Sequence, residues 1–209
     1  MSHVVLLGDS IFDNAAYVPD RPAVIDQVRA SLPKDCTATL LAVDGHMVED
    51  VLDQLKSLPA GATHLVVSAG GNDTLSEVAI LAEAACTVGD ALVLMDDVRS
   101  RFRERYRRML RALAQTEKFV AVCSIYDAIP GLGSAELAAL AMINEVILRE
   151  AIAAGVSILD LRVTCSSSSD YSHVSSIEPS STGGAKIARL IADFAVGNPA
   201  NPARSVVYI

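Results

Sequence analysis

Short apolar runs alternate along this chain with segments of helical periodicity, and no other sequence feature limits its possible folds as strongly. The runs HLVVSA and FVAVCSI are almost continuously apolar, which is typical of parallel strands that are covered on both faces. The predicted strands are 3–8, 37–43, 64–69, 119–125 and 156–161. Strands joined by helices in this way predict an α/β protein, a three-layer α/β/α sandwich around a five-stranded parallel sheet.

Apolar residues at helical spacing predict the helices between these strands. They mark helices near 24–32, 47–55, 96–115, 135–154 and 187–194. No linker or internal repeat divides the chain, so we expect one domain over residues 1–196 and a C-terminal tail over 197–209. The VVYI end of the tail is consistent with an edge strand, with a contact to another subunit, or with a loosely docked terminus.

Composition and charge argue against several classes of protein. The net charge of −8 disfavours binding to nucleic acid phosphates, and no apolar run is long enough to cross a bilayer. The run VVLLG at 4–8 is too short for the core of a signal peptide. The four cysteines form no CxxC pair, and the histidines lack the spacing of metal ligands. We therefore expect a cytoplasmic protein with reduced thiols and no metal site.

The first predicted strand runs directly into Gly8-Asp9-Ser10. Ligands of doubly wound sheets bind at the carboxyl ends of the strands, and a glycine there permits a tight strand-to-helix turn. Ser10 is thereby predicted to face the ligand crevice. The simpler interpretation is that Ser10 only caps a helix, a frequent role of serine.

Two further predicted strands also end in residues that can donate hydrogen bonds. Gly45 follows the second strand, and Asn72 lies within GGND at 70–73, after the third. Their N–H groups, together with the backbone N–H of Ser10, would form an oxyanion hole for a substrate carbonyl. Each segment alone reads as an ordinary turn, but three at the ends of separate strands favour a catalytic site.

These segments resemble the signature blocks of the SGNH (GDSL-type) esterases and lipases. GDS at 8–10, the glycine after the second strand, GGND at 70–73 and IEPSSTGGAKIA at 177–188 occur in the family's order. The resemblance implies a flavodoxin-like fold, with Ser10 as nucleophile and with Gly45 and Asn72 as oxyanion donors. It also implies a serine esterase that hydrolyses a small-molecule ester through an acyl-enzyme, without a cofactor.

The fourth block departs from the family pattern. Family members usually carry an Asp, two further residues and the catalytic His, which is followed at once by Pro. In this chain Glu178 stands immediately before Pro179, in the place of the histidine. Asp170 and His173 reproduce the Asp-x-x-His spacing, but His173 lies six residues before Pro179.

Two interpretations of the catalytic base follow. Asp170 orients His173, whose imidazole titrates near neutral pH and suits a general base. Alternatively Glu178 is the base, although an ordinary glutamate, with a pKa of about 4.3, is a weak one unless burial raises that pKa. Chemistry favours His173 and position favours Glu178, and we give preference to His173. If neither acts, the chain is a non-catalytic member that binds an acyl or carbohydrate ligand.

Two other segments each allow a purely structural interpretation and a functional one. Seven arginines lie between residues 99 and 111. The simpler interpretation is that they form a helix face exposed to solvent, and the alternative is that they form a docking surface for an acidic partner. Residues 74–95 form an insertion that ordinary packing explains, but the insertion is also long enough to make a lid or an acyl-binding wall. The sequence indicates no oligomeric state.

Overall fold

The fold was taken from a computed structural model, which describes residues 2–197 and 205–209. Its strands are His3–Gly8 (β1), Thr37–Leu40 (β2), His64–Ser68 (β3), Phe119–Cys123 (β4), Ser157–Leu159 (β5) and Val207–Tyr208 (β6). All pairs are parallel, in the order β2-β1-β3-β4-β5-β6. Apart from β6, this is the flavodoxin-like strand order, so the predicted α/β fold is confirmed.

The prediction of five strands is wrong by one, because the tail supplies β6. Val207 and Tyr208 pair with β5, and the Tyr208 ring packs edge-on against Phe194 at 5.8 Å between ring centroids. The apolar run VVYI is only four residues long, and the preceding Asn and Pro residues indicate a loop, so the sequence alone did not decide whether the tail forms a strand. The structure therefore selects the edge strand among the interpretations of the tail, while residues 198–204 lie outside the described residues.

The described residues form seven α-helices and four short 3₁₀ segments. The α-helices are Val24–Ser31 (α1), Val51–Gln54 (α2), Gly71–Ser76 (α3), Val88–Ala114 (α4), Ser134–Ala153 (α5), Leu161–Thr164 (α6) and Ser181–Val196 (α7). The 3₁₀ segments are Ala15–Tyr17, Leu55–Ser57, Val78–Ala82 and Ser168–Asp170. Within this part of the chain, none of the helices has the length and apolar content needed to cross a bilayer.

Three predicted helices differ in their bounds by several residues, and one of them is α7, which starts at Ser181 instead of residue 187. α4 starts at Val88 instead of residue 96, because Thr87 and Asp90 form a capping box that fixes its first turn. The helix predicted near 47–55 begins only at Val51, since the residues before it form turns.

Helices cover both faces of the sheet. α1 packs with α7 on one face, and α4 packs with α5 on the other. The side chains of β1 alternate between the two cores: Val4 and Leu6 enter one, and Val5 and Leu7 enter the other. Each of these buried side chains stabilises the fold by roughly 1.5–3 kcal/mol. Two covered faces explain the continuous apolar run of β1, and they direct polar chemistry to the ends of the strands.

Candidate active site

The turn after β1 brings Ser10 to the carboxyl edge of the sheet. Gly8 has a φ of +113°, and a Cβ there would lie 1.6 Å from the carbonyl oxygen of Ser68, so only glycine fits. Gln54 holds the turn from the other side: its Oε1 accepts from the Gly8 N–H at 2.7 Å and its Nε2 donates to the Gly8 carbonyl at 2.8 Å. Sequence reasoning missed Gln54, because one glutamine on a four-residue helix carries no recognisable pattern.

The Ser10 hydroxyl contacts the carboxyl group of Glu178. Its Oγ donates to Glu178 Oε1 at 2.8 Å, and both residues are buried. Glu178 Oε2 is buried as well and has no hydrogen-bond partner among the described residues. The structure therefore brings Ser10 together with the residue in the family's histidine position.

The surroundings of Glu178 raise its pKa to about 7. Burial is the largest cause, since it destabilises the ionised form. The hydrogen bond from Ser10 acts in the opposite direction, and repulsion from the carboxylates of Asp9 and Asp44 adds to the increase. A carboxylate that titrates near neutral pH is a far better proton acceptor for a hydroxyl than an ordinary glutamate.

The backbone on both sides of Glu178 is fixed by buried side chains. The Tyr126 hydroxyl donates to the Ile177 carbonyl at 2.6 Å, and the Asn14 amide donates to the Pro179 carbonyl at 3.2 Å. Asn14 also accepts from the backbone N–H of Val24 at 2.9 Å, which ties the segment after Ser10 to the start of α1. The carboxyl group of Glu178 is thus held by a rigid frame.

The structure does not bring His173 to Ser10. His173 is exposed, is absent from the lining of the cavity at Ser10, and makes no hydrogen bond within the described residues. Asp170 is fully buried, but it accepts from Lys186 Nζ at 2.7 Å and from the Ser167 N–H at 3.0 Å. The 3₁₀ turn ends at Asp170, so a spacing of three residues no longer places the two side chains on one face.

The predicted oxyanion donors lie around the same edge of the sheet. The backbone N–H groups of Ser10 and Gly45 have no acceptor among the described residues. Asn72 Nδ2 donates to the His46 carbonyl at 2.8 Å, which fixes the amide beside the Gly45-His46 turn and leaves its second N–H available. Ser10 and Asn72 line one cavity, whereas Gly45 does not belong to its lining.

An apolar cavity of about 150 Å³ extends from Ser10 and Glu178 into the protein. Its walls come from the segment after β3, from α4 and from α5, and include Leu75, Leu81, Phe102, Leu140 and Ile143. The insertion at 74–95 therefore contributes directly to the cavity, as one interpretation of the sequence expected. Such a narrow apolar space next to a few convergent polar groups suits an aliphatic ligand group.

Two buried aspartates, Asp9 and Asp73, lie in the GDS and GGND segments beside the site. Asp9 accepts from the Ile11 N–H at 3.2 Å, and burial raises its pKa to about 7. Asp73 accepts from the Val48 N–H at 2.9 Å and pairs with Arg105 at 3.4 Å; burial raises its pKa as well. Both aspartates lie in motifs that are recognisable in the sequence, but a motif does not show whether its side chains are buried.

The doubly wound sheet carries a cavity and convergent polar groups at the carboxyl ends of its strands, where ligands of this class of fold bind. The sequence profile of the GDSL-like Lipase/Acylhydrolase family matches residues 6–185, and the chain therefore belongs to this family. No sequence among curated proteins matches the chain.

Solved structures share the fold at low sequence identity. The extracellular lipase of Streptomyces rimosus is 19% identical with a TM-score of 0.70, and the match covers 94% of this chain and 100% of the lipase. The phospholipase A1 of Streptomyces albidoflavus NA297 is 15% identical with a TM-score of 0.68, covering 93% and 99%. An acetyl xylan esterase of Geobacillus stearothermophilus is 11% identical with a TM-score of 0.65, covering 93% and 94%. At these identities the likeness shows the fold, while family membership makes the chain a hydrolase.

Proposed function

We propose that this hydrolase is a serine esterase that cleaves carboxylic esters of apolar acyl groups through an acyl-enzyme on Ser10, with Glu178 as general base. The observation that carries the proposal is the 2.8 Å hydrogen bond from the Ser10 hydroxyl to the Glu178 carboxyl group at the end of an apolar cavity. A nucleophile and a base in hydrogen-bonding contact are the minimal requirement for this chemistry.

In the acylation step, Ser10 Oγ attacks the ester carbonyl carbon and its proton passes to the Glu178 carboxylate. The negative charge on the carbonyl oxygen is stabilised by the N–H groups of Ser10, Gly45 and Asn72. When the tetrahedral intermediate collapses, the carbon–oxygen bond to the alcohol breaks, and the leaving oxygen takes the proton from Glu178. Water then attacks the acyl-serine, gives its proton to Glu178, and the released Ser10 oxygen recovers that proton.

The cavity supports an apolar acyl group as the recognised part of the substrate. Its aliphatic and aromatic walls offer little to a polar group, and transferring apolar surface out of water stabilises the complex. The substrate is accordingly a small molecule. In this proposal Asp170 supports the loop around Ser168–Asp170, and His173 takes no part in proton transfer.

The cellular location remains part of the proposal. We place the protein in the cytoplasm, as the sequence predicts, and its four unpaired cysteines support this placement.

Replacing the proposed nucleophile tests the proposal. Ser10→Ala is expected to lower kcat/KM for p-nitrophenyl butyrate by roughly 10³-fold or more, because no hydroxyl remains to form the acyl-enzyme. A fluorophosphonate should label the wild-type chain and not this variant. The matched control is Ser176→Ala, an exposed serine in the loop that precedes Glu178. Unchanged turnover in Ser10→Ala, or a wild-type chain that resists labelling, would leave only a non-catalytic ligand-binding role.

A further inference from the structure

One part of the surface beside the cavity carries almost no charge. Between residues 78 and 95 only Glu83 and Asp90 are charged, and Asp90 is engaged in the capping box that begins α4. Residues 82–90 are all exposed. We call residues 78–95 the apolar strap.

The apolar strap is apolar on both of its sides. Its inner side chains, such as Leu81 and Met95, line the cavity. Its outer side chains are apolar as well: Val88, Leu92 and Val93 are exposed by 78%, 56% and 63%. A helix at the surface of a soluble protein normally presents polar residues to water, so the outer face of the strap lacks the expected polar cover.

The rest of α4 provides an internal comparison. Residues 96–111 contain ten charged residues, and the exposed face of this part is covered by arginine, aspartate and glutamate. The outer face of the same helix therefore changes from aliphatic to charged near residue 96. Helix formation alone does not require this change, since charged residues are good helix formers too.

The exposed apolar face is continuous with the wall of the cavity. Leu75 and Val78 both line the cavity, yet they remain exposed by 47% and 50%. They connect the outer surface of the strap with the space that reaches Ser10. Whatever covers the strap therefore lies against residues that also form a wall of the cavity.

We propose that the apolar strap docks the protein onto an uncharged or zwitterionic lipid surface from which the ester enters the cavity. This inference rests on the proposed esterase function. A permanently bound protein partner at this position would obstruct the cavity, whereas a lipid surface presents the substrate. The strap contains no aromatic residue and no arginine, the residues that protein interfaces favour.

The charge of the protein selects the kind of lipid surface. The strap has no lysine or arginine, and the whole chain has a net charge of −8. The strap itself therefore offers no attraction to anionic headgroups, and its own contribution to binding comes from buried apolar area. We expect binding to phosphatidylcholine vesicles that decreases when anionic phosphatidylglycerol is added.

Vesicle flotation tests the inference without any turnover. The Ser10→Ala protein is expected to float with phosphatidylcholine vesicles. Adding Val93→Asp to this variant should weaken vesicle binding about tenfold or more, because the aspartate would bring a charge into the apolar layer of the lipid surface. Val93 does not line the cavity, so Val93→Asp alone should hydrolyse soluble p-nitrophenyl butyrate like the wild type. The matched control is Ile152→Asp, which changes a similarly exposed residue (59%) near the end of α5.

Three results would overturn the inference. In the first, the Ser10→Ala protein does not float with either vesicle composition. In the second, Ile152→Asp weakens flotation as much as Val93→Asp does. In the third, the protein is a dimer in solution and Val93→Asp dissociates it. Failure of the esterase proposal is recognised separately, because the wild type would then not hydrolyse soluble p-nitrophenyl butyrate, whether or not the chain binds vesicles.

Discussion

Glu178 is buried beside other carboxyl groups, and its environment therefore differs from that of an exposed glutamate. Burial, opposed by the Ser10 hydrogen bond and reinforced by Asp9 and Asp44, raises its pKa to about 7. Only the ionised carboxylate accepts the proton of Ser10. We therefore predict that kcat/KM rises with pH through about 7 and levels off above it, as measured with p-nitrophenyl butyrate in buffers of constant ionic strength. Asp44→Asn removes one repelling charge and should move this rise to lower pH, and an unmoved profile would argue against Glu178 as the titrating group.

A pair of substitutions separates the two candidates for the base. Glu178→Gln keeps the shape of the side chain but removes its capacity to accept the proton, so kcat should fall by about 10³-fold. His173→Ala should change kcat by less than about twofold, because His173 is exposed and away from the cavity lining. Circular dichroism checks that both variants fold. A large loss in His173→Ala with little loss in Glu178→Gln would reverse our assignment.

At the level of single residues, the sequence revealed strand ends but not burial. Ser10, Gly45 and Asn72 were identifiable because each follows an apolar run, and the structure places all three at one edge of the sheet. The choice between His173 and Glu178 depended on which side chain is enclosed, a tertiary property that spacing does not contain. For this reason the sequence preference for His173 disagrees with the contact that Ser10 makes.

Among the elements, α4 has most of its arginines in ion pairs with neighbouring segments. Arg101 pairs with Glu77, Arg105 with Asp73 and Arg108 with Glu49. Arg107 and Arg103 contact Glu150 on α5 at 2.6 Å and 3.5 Å. The arginine-rich stretch therefore anchors α4 to its surroundings, which accounts for most of its charges without an acidic partner.

The pairing of α4 with α5 yields a prediction about stability. Glu150 is buried, so Glu150→Gln should lower the free energy of unfolding by about 1–2 kcal/mol. This value is toward the lower end for charged hydrogen bonds, because the arginines that pair with Glu150 are partly exposed. Urea denaturation measures the change. Arg149→Gln is the control: Arg149 pairs with Glu145 on the surface of the same helix, and its replacement should cost less than about 0.5 kcal/mol. Equal effects would contradict the structural role of Glu150.

For the whole molecule, periodicity predicted the layers and the five longer strands. Each of those strands carries an apolar run, and β3 with HLVVS is fully buried. The edge strand β6 was one of three interpretations that the sequence left open, because Val207 and Tyr208 acquire their strand conformation only from the edge of β5. The cavity also depended on the assembled molecule, since its walls come from segments as distant as α3 and α5.

The division into a domain over 1–196 and a tail remains a prediction that truncation tests. A chain ending at Gly197 should fold and keep its esterase activity, because β6 lies four strands away from β1 in the sheet. Its free energy of unfolding should decrease by roughly 1–3 kcal/mol, since the contact of Tyr208 with Phe194 and the β5–β6 hydrogen bonds are lost. Chemical denaturation of both chains measures the difference, and an insoluble truncated chain would show that the tail belongs to the domain.

In the proposed mechanism, the contact between Ser10 and Glu178 also determines how charge moves during turnover. An imidazole base would become a cation beside the new oxyanion, so that each acylation would create and erase an ion pair. With a carboxylate, the site carries one negative charge throughout, and that charge only migrates from Glu178 to the substrate oxygen. In this proposal the hydrogen-bond donors at the strand ends stabilise the whole anion without help from a neighbouring cation, so the reaction depends more strongly on their alignment.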